Sequence, residues 1–227
     1  TVLEEIVAQR RTHLPALRER LSHVDLARVP RSERSLADAL RGTNRFIMEC
    51  KSASPSLGMI REDYRPGDIA RIYSRYASAI SVLCEPNRFG GDYDHLAAVA
   101  ATTHLPVLCK DFIIDPIQIR AARHYGADAI LLMLSVVPDD VYRELAELAA
   151  ALAGERCMLL LTARPEWEPP LRMQGTLVSL ELGRLGAREA AAMVRQVLAP
   201  RQVSQAVVDH VVARTDGVED DAVLLRH

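Results

Sequence analysis

The sequence predicts an α/β fold built on a parallel sheet, and three observations predict it. Short, almost wholly apolar runs recur through the first two thirds of the chain. Stretches with helical signals separate them. Its only two lysines, Lys51 and Lys110, each stand at the end of such a run.

The runs are Phe46 to Cys50, Ala79 to Cys84, Leu105 to Cys109 and Ala127 to Met133. Being short and continuously apolar, they read as parallel strands buried on both faces. Between them, Asp68 is placed to cap a helix whose apolar residues Ile69, Ile72, Tyr73 and Tyr76 fall at helical spacing. Asp115-Pro116 opens another helix, which Gly126 ends. Val141, Leu145, Leu148 and Leu152 stripe a further one. Four βα units in succession, behind one or two N-terminal helices, fit either a (β/α) barrel or an open doubly wound sheet. The phosphate-cradling patterns GxGxxG and GxxxxGKS/T are absent, which counts against a nucleotide-binding sheet.

Composition narrows the function classes. The chain has 227 residues and a net charge of −2, with no basic block, so nucleic acid is a poor partner. No apolar run reaches membrane-spanning length, and the N-terminal stretch TVLEEIVAQRRTH reads as a charged amphipathic helix rather than a signal peptide. A cytoplasmic, soluble protein is the expectation. Cys50, Cys84, Cys109 and Cys157 are widely spread, form no CxxC and have no histidine at metal-ligand spacing. They are expected to be buried reduced thiols rather than metal ligands.

Lysine usage points to chemistry. Of 28 basic residues, 26 are arginine. Arginine serves wherever a permanent cation is enough, but it does not give up a proton near neutrality, whereas a half-buried lysine can. Strand alternation puts Ile47, Glu49 and Lys51 on one face, with Met48 and Cys50 on the other. The C-terminal ends of parallel strands are where a barrel keeps its active site. Lys110 ends its run in the same way, followed at once by Asp111 and Phe112. Two lysines and a glutamate around one mouth can hold an anionic substrate, and a neighbouring cation with partial burial eases proton release. The competing reading is an ion-pair cluster that closes the end of the core.

The strings MECKSASPS from Met48, YASAISVLCEPNRFGGD from Tyr76, LPVLCKDFIIDPIQI from Leu105 and YGADAILLMLS from Tyr125 carry a resemblance. From Thr1 to about Leu152 the chain resembles indole-3-glycerol-phosphate synthase, a (β/α)8 TIM barrel of tryptophan biosynthesis. The resemblance implies a cofactor-free carboxy-lyase that closes the ring of 1-(2-carboxyphenylamino)-1-deoxyribulose 5-phosphate with loss of carbon dioxide and water. By motif position it implies Lys110 as general acid, Lys51 as a second catalytic lysine that contacts substrate, and Glu49 as their partner. Ser54, Phe89, Phe112 and Leu131 match pocket-lining positions, where aromatic rings suit an anthranilate. Read alone, Phe89 and Phe112 are core residues and Ser54 is a turn residue before Pro55.

The resemblance stops near residues 150 to 157. The later motifs of that family, a glutamate base ending the fifth strand, Asn-Asn-Arg, Ser-Glu-Ser-Gly and the glycines that seat the phosphate, are not in the sequence. The nearest fifth strand is Cys157 to Thr162, with Ala163 and Arg164 where the glutamate would fall. Thr176 to Leu182 reads as a sixth, followed by helices around Arg188 to Leu198 and Val203 to Arg214. Glu166 and Glu181 are the candidates for a replacement base. The strings LLLTARPEWEPP, LELGRLGAREAAAMVRQVL and VVDHVVARTDGV resemble the later part of STAND-type signalling ATPase domains, in which Arg164 would lie near phosphates. With no phosphate loop, nucleotide hydrolysis has no machinery here.

The expected architecture is therefore a TIM-barrel-like α/β sheet, incomplete or open, with about six parallel strands and C-terminal helices. Residues 1–152 form a half-barrel with an N-terminal helical extension, and residues 153–227 a divergent, ATPase-fragment-like segment packed on the sheet. The expected function is an impaired synthase acting on the phosphorylated anthranilate-ribulose substrate. The alternatives are a non-catalytic half-barrel that binds or assembles, or a regulatory ATPase fragment. A second copy of the chain is one expected way to cover the exposed sheet edge.

Overall fold

The computed structural model describes residues 2–42, 45–55, 57–60, 62–133, 136–153, 159–163, 177–181, 188, 191, 195, 204–214 and 222–226. Four strands fall where the apolar runs place them: β1 (Ile47–Cys50), β4 (Ala79–Leu83), β5 (Val107–Lys110) and β6 (Ala129–Met133). They are hydrogen-bonded side by side in parallel, with Glu49 opposite Ser81, Ser81 opposite Leu108 and Leu108 opposite Ala129. A small antiparallel hairpin, β2 (Ala53–Ser54) and β3 (Gly58–Met59), follows β1 and has no counterpart among the predicted elements.

Both faces of the sheet are covered at its N-terminal end, which is why these strands are apolar on both sides of their alternation. On one face Cys50, Val82, Cys109 and Leu132 are wholly buried among the helices. On the other, Ala79, Leu108 and Ala129 pack against Leu36 and Ala37 of the short helix α2 (Leu36–Ala39), which plugs the floor of the sheet. Each fully buried Leu or Val contributes about 1.5–3 kcal/mol. The floor is tied by Asp128, whose buried carboxylate accepts from Val107 N–H at 2.9 Å and Ser32 Oγ at 2.7 Å and pairs with Arg34 at 2.8 Å.

The covering helices are α1 (Val2–Arg20), α3 (Pro66–Tyr73), α5 (Tyr93–Ala100), α6 (Pro116–His124) and α7 (Asp139–Ala153), with the single turn α4 (Pro86–Phe89) before α5. Helix α6 starts as its sequence predicts, with a capping box between Asp115 and Gln118, and Gly126 takes the left-handed φ of 96° just past its end. Asp68 does not cap α3. Pro66 already occupies the first helical position behind Arg65, so Asp68 lies inside the first turn and pairs with Arg71 at 2.8 Å. The stripe on α3 is also narrower than predicted. Ala70 is buried and Ile69 and Tyr73 pack against the core, whereas Ile72 and Tyr76 are exposed, Tyr76 because the helix has already ended. On α7 the buried face is Tyr142, Leu145 and Ala149, flanked by Val141 and Leu148. The side chain of Leu152 lies outside the described residues.

Beyond α7 the chain continues the sheet with β7 (Leu159–Ala163), parallel to β6 with Leu131 opposite Leu160. This is the expected fifth strand. The expected sixth, β8 (Leu177–Glu181), does not take the next place. A strand that the sequence reading did not name, β9 (Ala222–Arg226), pairs antiparallel with β7, and β8 pairs antiparallel with β9 at the outer edge. The seven-stranded order is β1-β4-β5-β6-β7-β9-β8, so five parallel neighbours are followed by two antiparallel pairings rather than by a sixth parallel one. The physical reason is that AVLLR is as apolar as the earlier strands, and an antiparallel strand fills an edge without a crossover helix. Helix α8 (Gln205–Arg214) matches the second predicted C-terminal helix, and Arg188, Ala191 and Arg195 are helical. Among the described residues no helix is long and apolar enough to cross a membrane.

Candidate active site

The C-terminal ends of β1 and β5 bring the predicted charged residues together. Glu49, on the same face of the sheet as Leu108 and Leu131, puts one carboxylate oxygen on each lysine. Its Oε2 accepts from Lys110 Nζ at 2.6 Å and its Oε1 lies 3.2 Å from Lys51 Nζ. The three side chains are part-exposed, Lys110 at 42%, Lys51 at 34% and Glu49 at 25%, so both ammonium groups face the mouth. One carboxylate between two lysines leaves a net positive mouth able to attract an anion and offer it a proton.

The aromatic residues assigned to the pocket also converge. The rings of Phe89 and Phe112 stack 6.4 Å apart at 29°. Phe112 is carried by the segment just after β5, Phe89 by α4. That turn is fixed by Glu85, a fully buried carboxylate that accepts from the N–H groups of Asn87, Arg88 and Phe89 at 2.9, 2.7 and 3.2 Å. Gly90 ends the turn at φ 61°, and a Cβ on Gly91 would sit 2.5 Å from the carbonyl oxygen of Leu83, so the chain there can only be glycine-thin. Ser52 Oγ donates to the carbonyls of Phe89 or Gly90 at 3.0 and 3.1 Å and ties this turn to the end of β1.

Ser54 and Leu131 are both buried. Ser54 lies in the hairpin, where its hydroxyl accepts from Leu57 N–H at 3.1 Å, the turn role its place before Pro55 suggests. Leu131 is on β6, on the face it shares with Glu49 and Lys110. Cys50, Cys84 and Cys109 are buried free thiols, and burial pushes the Cys50 thiol up to about 12. Arg164, Glu166 and Cys157 lie outside the described residues, and Glu181 is placed only as a backbone position on the edge strand β8.

Sequence reasoning did not single out Glu85, Ser52 or Arg10. Glu85 had a signal, an acidic residue directly before a proline, the pattern of an N-cap with proline in the first turn. Arg10 had none. It reaches Asp111 from 101 positions away, its Nε 3.0 Å from Oδ1 and its Nη2 2.6 Å from Oδ2. That pair is buried, with side-chain exposures of 4% and 0%. Asp111 also accepts from Tyr93 Oη at 2.9 Å, Gln118 Nε2 at 3.2 Å and the Phe112 N–H at 2.8 Å.

The likeness to known proteins covers this site. A protein of Corynebacterium glutamicum named tryptophan biosynthesis protein TrpCF is 71% identical over 153 residues, 66% of this chain and 32% of that protein. The protein of the same name from Salmonella typhi is 48% identical over 154 residues, 67% of this chain and 34% of its own. That of Haemophilus influenzae is 44% identical over 185 residues, 79% of this chain and 39% of its own. The last share is larger than residues 1–158 can supply, so that likeness runs into the C-terminal segment. The chain spans about a third of the length of these relatives. Residues 3–158, well over half of the chain and every residue of the lysine-glutamate mouth, match the family model for indole-3-glycerol phosphate synthase, and the chain belongs to that family.

Proposed function

We propose that this chain binds 1-(2-carboxyphenylamino)-1-deoxyribulose 5-phosphate and catalyses its ring closure, decarboxylation and dehydration to indole-3-glycerol phosphate, at a rate below that of a complete barrel. The observation that carries the reading is Glu49 held between Lys110 and Lys51, at 2.6 and 3.2 Å, on the open ends of two strands. Lys110 is the general acid that protonates the carbonyl oxygen as the ring closes. Lys51 holds the anthranilate carboxylate and donates in the dehydration half. Glu49 keeps both amines aimed, releasing them as substrate enters.

The stacked rings of Phe89 and Phe112 support a slot for the anthranilate ring, and the proposal assigns Leu131 of β6 and Ser54 of the hairpin to its lining. These chemical roles need no cofactor. The proposal places the reaction in the cytoplasm, without nucleic-acid or membrane partners. It treats residues 1–152 as the catalytic half-barrel and residues 153–227 as a divergent segment that extends it, with a second copy as a further cover for the sheet edge.

The test is turnover. The purified chain is given the ribulose-phosphate substrate and indole fluorescence is followed. Product formation that disappears in Lys51→Ala and in Glu49→Gln supports the assignment. No product above the uncatalysed rate, or product that persists in both variants, overturns it.

A further inference from the structure

Helix α1 stands outside the sheet, yet it inserts one charged side chain into the protein beside the site. Arg10 clasps Asp111 through two parallel hydrogen bonds, at 3.0 and 2.6 Å, with almost no solvent contact. Asp111 sits between Lys110, the last residue of β5, and Phe112, which stacks on Phe89. Two other groups on this carboxylate also fix that short segment. The Phe112 N–H and the Gln118 amide donate to it, and the same amide donates to the Phe112 carbonyl at 2.9 Å. Tyr93 adds its hydroxyl from α5.

A buried ion pair is weak evidence for stability, because desolvation offsets most of the attraction. What such a pair does supply is geometry, since a charge with one set of partners has one position. Without Arg10, the Asp111 carboxylate would be buried and uncompensated, and it would leave its pocket. That change would turn the peptide that follows Lys110 and move the lysine away from Glu49. We propose that α1 is a strap on the active site, and that Arg10 is a positioning residue that holds Lys110 and Phe112 in working register through Asp111. The idea rests on the assignment of Lys110 as the acid, but its geometric part can be read without turnover.

The chain's two lysines make the test direct. Lysine labelled with 13C at Cε gives two side-chain signals in the NMR spectrum, assigned by Lys51→Arg and Lys110→Arg. The Glu49→Gln variant marks where the Lys110 signal lies once its ion pair is gone. In Arg10→Met the Lys110 signal should move to that mark while the Lys51 signal stays, and Arg10→Lys should recover part of the shift. Where the wild type turns over, kcat should fall about 10-fold or more with little change in KM, as expected of a misplaced reacting group.

If Arg10→Met does not fold, Tyr93→Phe, which removes one hydroxyl from Asp111 and leaves the ion pair, should shift Lys110 the same way by less. A lower melting temperature with the Lys110 signal unmoved overturns the proposal, as do equal shifts of both lysines. Silence of the wild type in the fluorescence assay would count against the proposed function alone, leaving the NMR outcome to decide the strap.

Discussion

Glu49 and the two amines on it were readable because three independent facts coincide there. Lysine is rare in this chain, strand alternation puts Glu49 and Lys51 on one face, and both lysines close apolar runs. Lys110→Arg follows from the same chemistry. Arginine keeps the charge beside Glu49 and cannot supply a proton, so any synthase activity should be abolished. Lys110 is 42% exposed, so stability should change by no more than about 0.5 kcal/mol. An active Lys110→Arg variant in the fluorescence assay would remove Lys110 as the acid. Arg10 shows the opposite limit of reading residues, because its side-chain partners among the described residues, Asp111 and Tyr93, are distant in sequence and the local pattern of α1 does not distinguish it from the arginines around it.

At the scale of elements, two turns behind the site are held by carboxylates. Glu85 satisfies three N–H groups of α4 at once, so Glu85→Ala should cost about 2 kcal/mol or somewhat more than an ordinary cap. At about 2–4 °C per kcal/mol for a chain of this size, calorimetry should register a loss of several degrees. Phe89 would lose its stack on Phe112, and substrate affinity should fall with it. Asp92 caps α5 and pairs with Arg20 of α1 at 3.1 Å. Burial alone would raise its pKa, but the Asp94 N–H and the Arg20 guanidinium outweigh that and hold it below the usual carboxylate range. Unfolding therefore takes up a proton in acid. The contribution is fully present above the unfolded value of about 4 and is lost as pH falls through the lower folded value. Melting curves from about pH 7 to about pH 3 should show a shallower acid decline in Asp92→Asn than in the wild type. Equal slopes would mean that Asp92 does not contribute. These elements were partly legible. The start of α6 follows from Asp115-Pro116, whereas the failure of Asp68 to cap α3 was decided by Pro66 two residues earlier.

For the whole molecule, the consequence lies at the edges of the sheet. The strands β7, β9 and β8 cover the side that β6 would otherwise leave with unpaired N–H and C=O groups. Truncation after Leu152 removes all three and should give an insoluble product, judged by its share of the supernatant after expression. A soluble monomeric fragment would show that β6 tolerates an open edge. On the expectation, drawn from the resemblance, that the residues after Leu152 do not supply the base, the rate should be low, since loss of a general base alone costs about 10²- to 10⁴-fold. Complementation of a tryptophan auxotroph at ordinary expression should therefore fail. Growth would mean that another group, Glu166 or Glu181 among them, replaces the base.

The sequence by itself determined the class of the fold, the four parallel strands and the grouping of Glu49, Lys51 and Lys110 as a candidate site, because periodicity and motif are local properties of the chain. Tertiary structure alone decided which strand follows β7, since AVLLR and TLVSLEL both suit an edge and only their pairing partners separate them. It alone brought Arg10 onto Asp111, because a buried charge is defined by what surrounds it in space, and those two residues are 101 positions apart in the chain.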